Sequence, residues 1–117
     1  MYKIGIEYEF EAAHFLYGVP DTHKCSRMHG HNYVVIVELA SETVDYYGFV
    51  LDYFDIKPIK TFIDEEWDHR VLNDVVSCNT TVENLAELLF TTFKPDFPQL
   101  SAITIKETPS TFARYEG

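Results

Sequence analysis

The chain has 117 residues, 46% of them hydrophobic, with 19 acidic against 9 basic side chains and a formal net charge of -10. That size fits a single domain spanning residues 1–117, long enough to bury a core and small enough for self-association to help it. The charge opposes binding to nucleic-acid phosphates or anionic lipid, and no apolar run approaches the roughly 20 residues of a membrane span, so the expected partners include neither nucleic acid nor membrane.

The first predicted element is Tyr2 to His14. Its even positions read Tyr2, Ile4, Ile6, Tyr8, Phe10, Ala12 and His14, while the odd ones include Lys3, Glu7, Glu9 and Glu11. This period of two predicts a half-buried strand, with the glutamates on a solvated face and a histidine closing the apolar one. The chain enters this strand without a charged segment followed by an apolar run, so a cytoplasmic location is expected, and Cys25 and Cys78 are expected to be free thiols. Val19 to Met28 is too long and too polar for a tight hairpin and reads as a loop able to carry chemistry. It holds His23, read as a solvated loop residue, together with Lys24, Cys25 and Arg27. Cys25 has polar, basic neighbours, unlike a buried small hydrophobe.

His29-Gly30-His31 then opens the β-branched run Asn32-Tyr33-Val34-Val35-Ile36-Val37. Alternate side chains of a strand face the same way, so His29 and His31 can share one metal ion. If this strand pairs antiparallel with the first, His14 can join them. His14 alone would read as a satisfied histidine at a strand end; the grouping makes it a ligand. Three histidines leave a fourth position open on zinc, the arrangement of a catalytic zinc site.

A helix is predicted from about Phe54 to Glu66, with Ile56, Ile59, Phe62 and Ile63 on one side; Pro58 restricts its start, making Asp55 or a close neighbour the N-cap. Cys78 precedes a second helix, in which Thr80 and Glu83 have capping-box spacing and Val82, Leu85, Leu88, Leu89 and Phe93 form the apolar face before Pro95 and Pro98. Leu100 to Glu107 and Thr111 to Glu116 read as two strands around a turn at Thr108-Pro109-Ser110. The order strand, strand, helix, helix, strand, strand is α+β. Such a sheet has two edges and one face to protect, for which oligomerisation is the expected remedy.

Phe10-Glu11-Ala12-Ala13-His14, His23-Lys24-Cys25-Ser26-Arg27-Met28-His29-Gly30-His31, Trp67-Asp68-His69, Thr81 to Asn84 and Lys106-Glu107-Thr108 together resemble the 6-pyruvoyltetrahydropterin synthase family, most closely its queuosine-pathway branch, which forms 6-carboxytetrahydropterin. The resemblance implies the tunnel fold, ββααββ, in which three subunits join four-stranded antiparallel sheets into a barrel and two rings stack as a homo-hexamer, a dimer of trimers. It implies Zn2+ on His14, His29 and His31, Cys25 as general base, Asp68 and His69 as its catalytic partners, and Glu107 as anchor of the pterin ring. Without the resemblance, Asp68-His69 reads as a polar pair at a helix end and Glu107 as a strand carboxylate paired across the sheet.

The implied substrate is 7,8-dihydroneopterin triphosphate, with Lys24 and Arg27 as phosphate-side contacts. Three residues separate Cys25 from His29, a short spacing that resembles the carboxy-forming branch. The expected activity is therefore that of a zinc-dependent carbon–carbon lyase; the alternatives are triphosphate elimination to 6-pyruvoyltetrahydropterin, or a zinc- and pterin-binding protein without turnover. Two departures stand out: Thr80 occupies a position where relatives often have proline, and Arg70 one where close relatives can have histidine. The first is expected to change the helix cap only, and neither to touch the assigned residues.

Overall fold

The alternation in Tyr2–His14 becomes strand β1 (Tyr2–His14), which buries Tyr8, Phe10, Ala12 and His14 and exposes Glu7, Glu9 and Glu11. Residues 1–117 are described by a computed structural model. β2 (His29–Ser41) runs antiparallel to β1 along its whole length, from Tyr2 opposite Ser41 to His14 opposite His29. Its inward residues Tyr33, Val35, Val37 and Leu39 are fully buried. A slip of one residue would turn both apolar rows to solvent, so burial itself fixes the register. Phe10 and Tyr33 stack at 4.6 Å near the middle of this ladder.

β4 (Leu100–Thr108) pairs with the other side of β2, and β5 (Thr111–Tyr115) returns along β4. The sheet has five strands instead of the expected four, with a short β3 (Arg70–Val71) outside β1 giving the order β3-β1-β2-β4-β5. This addition runs parallel to β1 at Ala12 and Ala13. Two residues carry no readable alternation, and their pairing follows from where the preceding residues dock.

The first predicted helix is one winding segment of three pitches: a 3-10 turn (Tyr53–Ile56), α1 (Lys57–Phe62) and a π turn (Ile63–Trp67). Asp52, not Asp55, caps it, accepting from the Phe54 N–H at 3.0 Å. Pro58 lies at the first turn of α1, where its missing N–H costs nothing. The π turn drives Trp67 into the core and closes with an Asp68 N–H to Ile63 carbonyl bond of 2.9 Å. After the short α2 (Leu72–Val75) comes α3 (Val82–Phe93), whose Leu85, Ala86, Leu89, Phe90 and Phe93 are buried. Thr81, not Thr80, is its N-cap, accepting from the Asn84 N–H at 3.2 Å. The helices cover one face of the sheet, and the histidine end of β1 and β2 lies beyond the apolar core on that same face.

Candidate active site

The β1–β2 register places His14 opposite His29 and Ala12 opposite His31, so all three imidazoles project from one face. Their ligand nitrogens lie within 4.8 Å of one another, and their ring centroids are 4.6 to 5.2 Å apart. His14 Nδ1 donates to the Thr80 carbonyl at 2.9 Å and toward Thr80 Oγ1 at 3.1 Å. His29 Nδ1 donates to the Arg27 carbonyl at 2.7 Å. A carbonyl only accepts, so both rings carry their proton on Nδ1 and turn the Nε2 lone pair inward.

His14 Nε2 and His31 Nε2 are buried with no hydrogen-bond partner. Orphaned nitrogens of this kind are rare in folded proteins, and here they converge with a third imidazole, so the residues present fit a cation. Burial holds the pKa of His14 down to about 4, with the charges of His29 and His31 adding to the effect and the Thr80 bond opposing it. Burial also lowers that of His31, against the pull of Glu107. These two rings are thereby held neutral near pH 7, as metal ligation requires.

Glu107, half-buried near the end of β4, brings Oε2 to 3.8 Å from His14 Nε2 and 3.7 Å from His31 Nε2. Its carboxylate forms no ion pair with lysine or arginine, so the cross-sheet pairing that a strand carboxylate usually makes is absent. Beneath it the Tyr33 hydroxyl is buried without a partner, its pKa raised by burial and by the Glu107 charge.

Asp68 and His69 sit at the other edge of β1. Asp68 Oδ1 accepts from the Glu11 N–H at 2.9 Å, and the His69 N–H donates to the Glu11 carbonyl at 2.6 Å. These bonds hold His69 at φ 58°, a left-handed conformation costing roughly 1 kcal/mol or more for a residue with a Cβ. Asp68 Oδ2 lies 2.9 Å from His69 Nδ1, and Glu11 Oε2 lies 3.5 Å from His69 Nε2. Glu11, expected to be only part of a solvated face, thus supplies both backbone docking groups and a flanking carboxylate. Asp68 raises the His69 pKa through its hydrogen bond and charge; the Glu11 N–H in turn is the main cause lowering that of Asp68.

Because the folded-state value of His69 is raised, the stability from this pairing is full below its ordinary pKa of 6.5 and is lost as pH rises through the raised value. Asp68→Asn should return the His69 titration, followed by NMR, toward its ordinary value; an unmoved midpoint would remove Asp68 as the cause.

Cys25 lies in the 3-10 turn Lys24–Ser26, capped by His23, whose Nδ1 accepts from the Cys25 N–H at 3.1 Å. The Leu16 N–H donates to the Cys25 carbonyl at 2.8 Å and ties this turn to the chain leaving β1. Lys24 and Arg27 are exposed. The structure therefore brings together His14, His29, His31 and Glu107, and separately Asp68 with His69. No hydrogen bond or ion pair joins the side chains of Cys25, Lys24 or Arg27 to either group. An open cleft of about 500 Å³ has Glu11, His31, Asn32 and His69 on its walls. A second, of about 600 Å³, has His31, Asn32, Lys106 and Glu107. The two share Gly30, His31 and Asn32 and so flank the same end of β2.

Thr80 is the residue that sequence reasoning placed wrongly. Its side chain is turned to His14 instead of capping α3, which leaves the cap to Thr81. Its signal in the sequence is the departure from proline, which frees a hydroxyl for His14 as well as changing the cap.

Residues 3–117 match the family described as 6-pyruvoyl tetrahydropterin synthase. The 6-carboxy-5,6,7,8-tetrahydropterin synthase of Haemophilus influenzae is 30% identical, with 99% of each chain covered. That of Rickettsia felis is also 30% identical, over 96% of this chain and 98% of its own. Among solved structures, the 6-pyruvoyl tetrahydropterin synthase of Caenorhabditis elegans superposes with a TM-score of 0.87 at 30% identity, covering 99% of this chain and 95% of that one.

Proposed function

The chain belongs to the 6-pyruvoyl tetrahydropterin synthase family, and from that premise we propose that it is a zinc-dependent carbon–carbon lyase of queuosine biosynthesis, converting 7,8-dihydroneopterin triphosphate and water into 6-carboxy-5,6,7,8-tetrahydropterin, acetaldehyde and triphosphate. The observation that carries this reading is the pair of buried, partnerless Nε2 atoms on His14 and His31 beside His29, whose Nδ1 is already committed. The similarity to chains named 6-carboxytetrahydropterin synthase and the short Cys25–His29 spacing favour the carboxy product.

Zinc held by His14, His29 and His31 would lower the pKa of the side-chain hydroxyls of the substrate and of the C–H beside them. Cys25 would be the general base that takes up that proton. Asp68 holds His69 through Nδ1 and stabilises its charged form, leaving Nε2 as the nitrogen that exchanges a proton with the substrate. Glu107 offers two oxygens to the amino and ring N–H donors of the pterin, a charge-assisted bidentate match. No hydrogen bond joins Cys25 to the Asp68–His69 pair within one chain, and the reading is that neighbouring subunits complete the site. The reading is of a single cytoplasmic domain forming a homo-hexamer of two trimers, its sheets joined edge to edge into a barrel that covers β3 and β5.

A net charge of -10 repels a triphosphate, so local positive charge must compensate. Lys24 and Arg27 are assigned to the phosphates on that ground. Replacing both with alanine should raise KM more than it lowers kcat, and a KM equal to that of the parent protein would remove them from this role.

The decisive experiment is mass spectrometry of the products formed by the zinc-loaded protein from 7,8-dihydroneopterin triphosphate. 6-Carboxytetrahydropterin with acetaldehyde is the expected result. 6-Pyruvoyltetrahydropterin alone would instead support the activity named for the C. elegans relative. Unchanged substrate would reduce the protein to a binder of zinc and pterin.

A further inference from the structure

Thr80 is fully buried at the point where β1, the start of α3 and the histidine cluster meet. Its hydroxyl donates to the Phe15 carbonyl at 3.2 Å, which commits its only hydrogen and leaves a lone pair toward His14 Nδ1 at 3.1 Å. Its own carbonyl accepts from the same Nδ1 at 2.9 Å. Two acceptors from one residue therefore converge on the His14 N–H. The surroundings of Thr80 are braced: Asn73 bonds both the N–H and the carbonyl of Phe15 at 2.9 Å, and Asn79 does the same to Tyr17 at 3.2 and 3.0 Å. Asn84 of α3 holds the Asn79 carbonyl at 3.0 Å. His14 is thus locked from behind by groups that are themselves immobilised, while its Nε2 faces His29 and His31.

We propose that Thr80 is a positioning residue of the metal site, its hydroxyl fixing the orientation of His14 and strengthening metal binding. The inference rests on His14, His29 and His31 holding zinc. It concerns a hydroxyl that a proline at this position would not supply. Outer partners of metal-bound histidines typically contribute about 10-fold or more in affinity, and because the Thr80 carbonyl persists in any substitution, the loss expected here is about 10-fold.

The test is Thr80→Val, which keeps the shape and deletes the hydroxyl. The Phe15 carbonyl retains Asn73 as donor, so no buried acceptor is orphaned. Zinc affinity is measured by chelator competition on the intact protein, and the visible absorption of the Co2+ form reports ligand geometry. Affinity should fall about 10-fold with a shifted Co2+ spectrum, and Thr80→Ser should restore both. Thr80→Ala removes the same hydroxyl without a new methyl and serves should valine not fit. A folded hydroxyl-free variant with parental zinc affinity, or a serine variant as weak as valine, overturns the role of Thr80 and leaves the metal site standing. A parent protein that binds no zinc overturns both.

Discussion

His31→Ala is expected to deprive the protein of its zinc and to lower turnover by about 10³-fold or more. His31 is the informative ligand to remove, because its side chain is 19% exposed whereas that of His14 is 2% exposed and bonded to Thr80. Deleting His14 would open a cavity and strand an acceptor, so lost stability would confuse the result. Deleting His31 withdraws one of three nitrogen donors and leaves the β1–β2 ladder paired. Lewis-acid stabilisation is worth several kcal/mol, and about 4 kcal/mol corresponds to a factor of about 10³ in rate. Metal content and turnover of the purified variant decide the matter. Parental activity in a zinc-free variant would end the zinc-dependent reading. Chelation of the parent protein should reproduce the loss, and added Zn2+ should reverse it.

Cys25→Ala should cost about 10²- to 10⁴-fold in turnover while zinc stays bound. The structure makes this a clean experiment. The two bonds that Cys25 makes in the turn, from its N–H to His23 and from Leu16 to its carbonyl, use main-chain groups and survive the substitution. The thiol itself is bonded to none of the three histidines. An alanine variant with full zinc content and a lost reaction would assign Cys25 to proton transfer. Undiminished turnover would remove it from the mechanism, and loss of zinc would move it into the metal shell.

The Thr80→Val and Cys25→Ala experiments address different layers of one site. The first should change how tightly zinc is held, the second how fast substrate reacts with zinc in place. A protein in which both changed the same quantity would need a different division of roles.

Much of the sheet was legible because its signal is local. Tyr8, Phe10, Ala12 and His14 alternate with glutamates, and His29, Gly30 and His31 precede a β-branched run, so each strand announces its own buried face. Once two such faces exist, the cost of exposing either row fixes their register, and His14 meets His29 as a consequence. Helix α3 was legible for the same reason, its apolar positions recurring at helical spacing. The π turn before Asp68 was not, because a widened turn has no period of its own and is selected by the fit of Trp67 into the core.

The sequence by itself determined which faces are apolar, where the three histidines sit on them, and a charge balance that opposes binding to nucleic-acid phosphates. Only the tertiary structure decided that Thr80 holds His14 from 66 positions away, that Asp68 and His69 dock on the backbone of Glu11, and that the turn carrying Cys25 is tied to the chain leaving β1 through Leu16. The reason is physical. Hydrophobic burial is broad and additive, so a residue and its near neighbours can encode it, whereas a hydrogen bond requires atoms placed to within a few tenths of an ångström by segments that meet only after the core has closed.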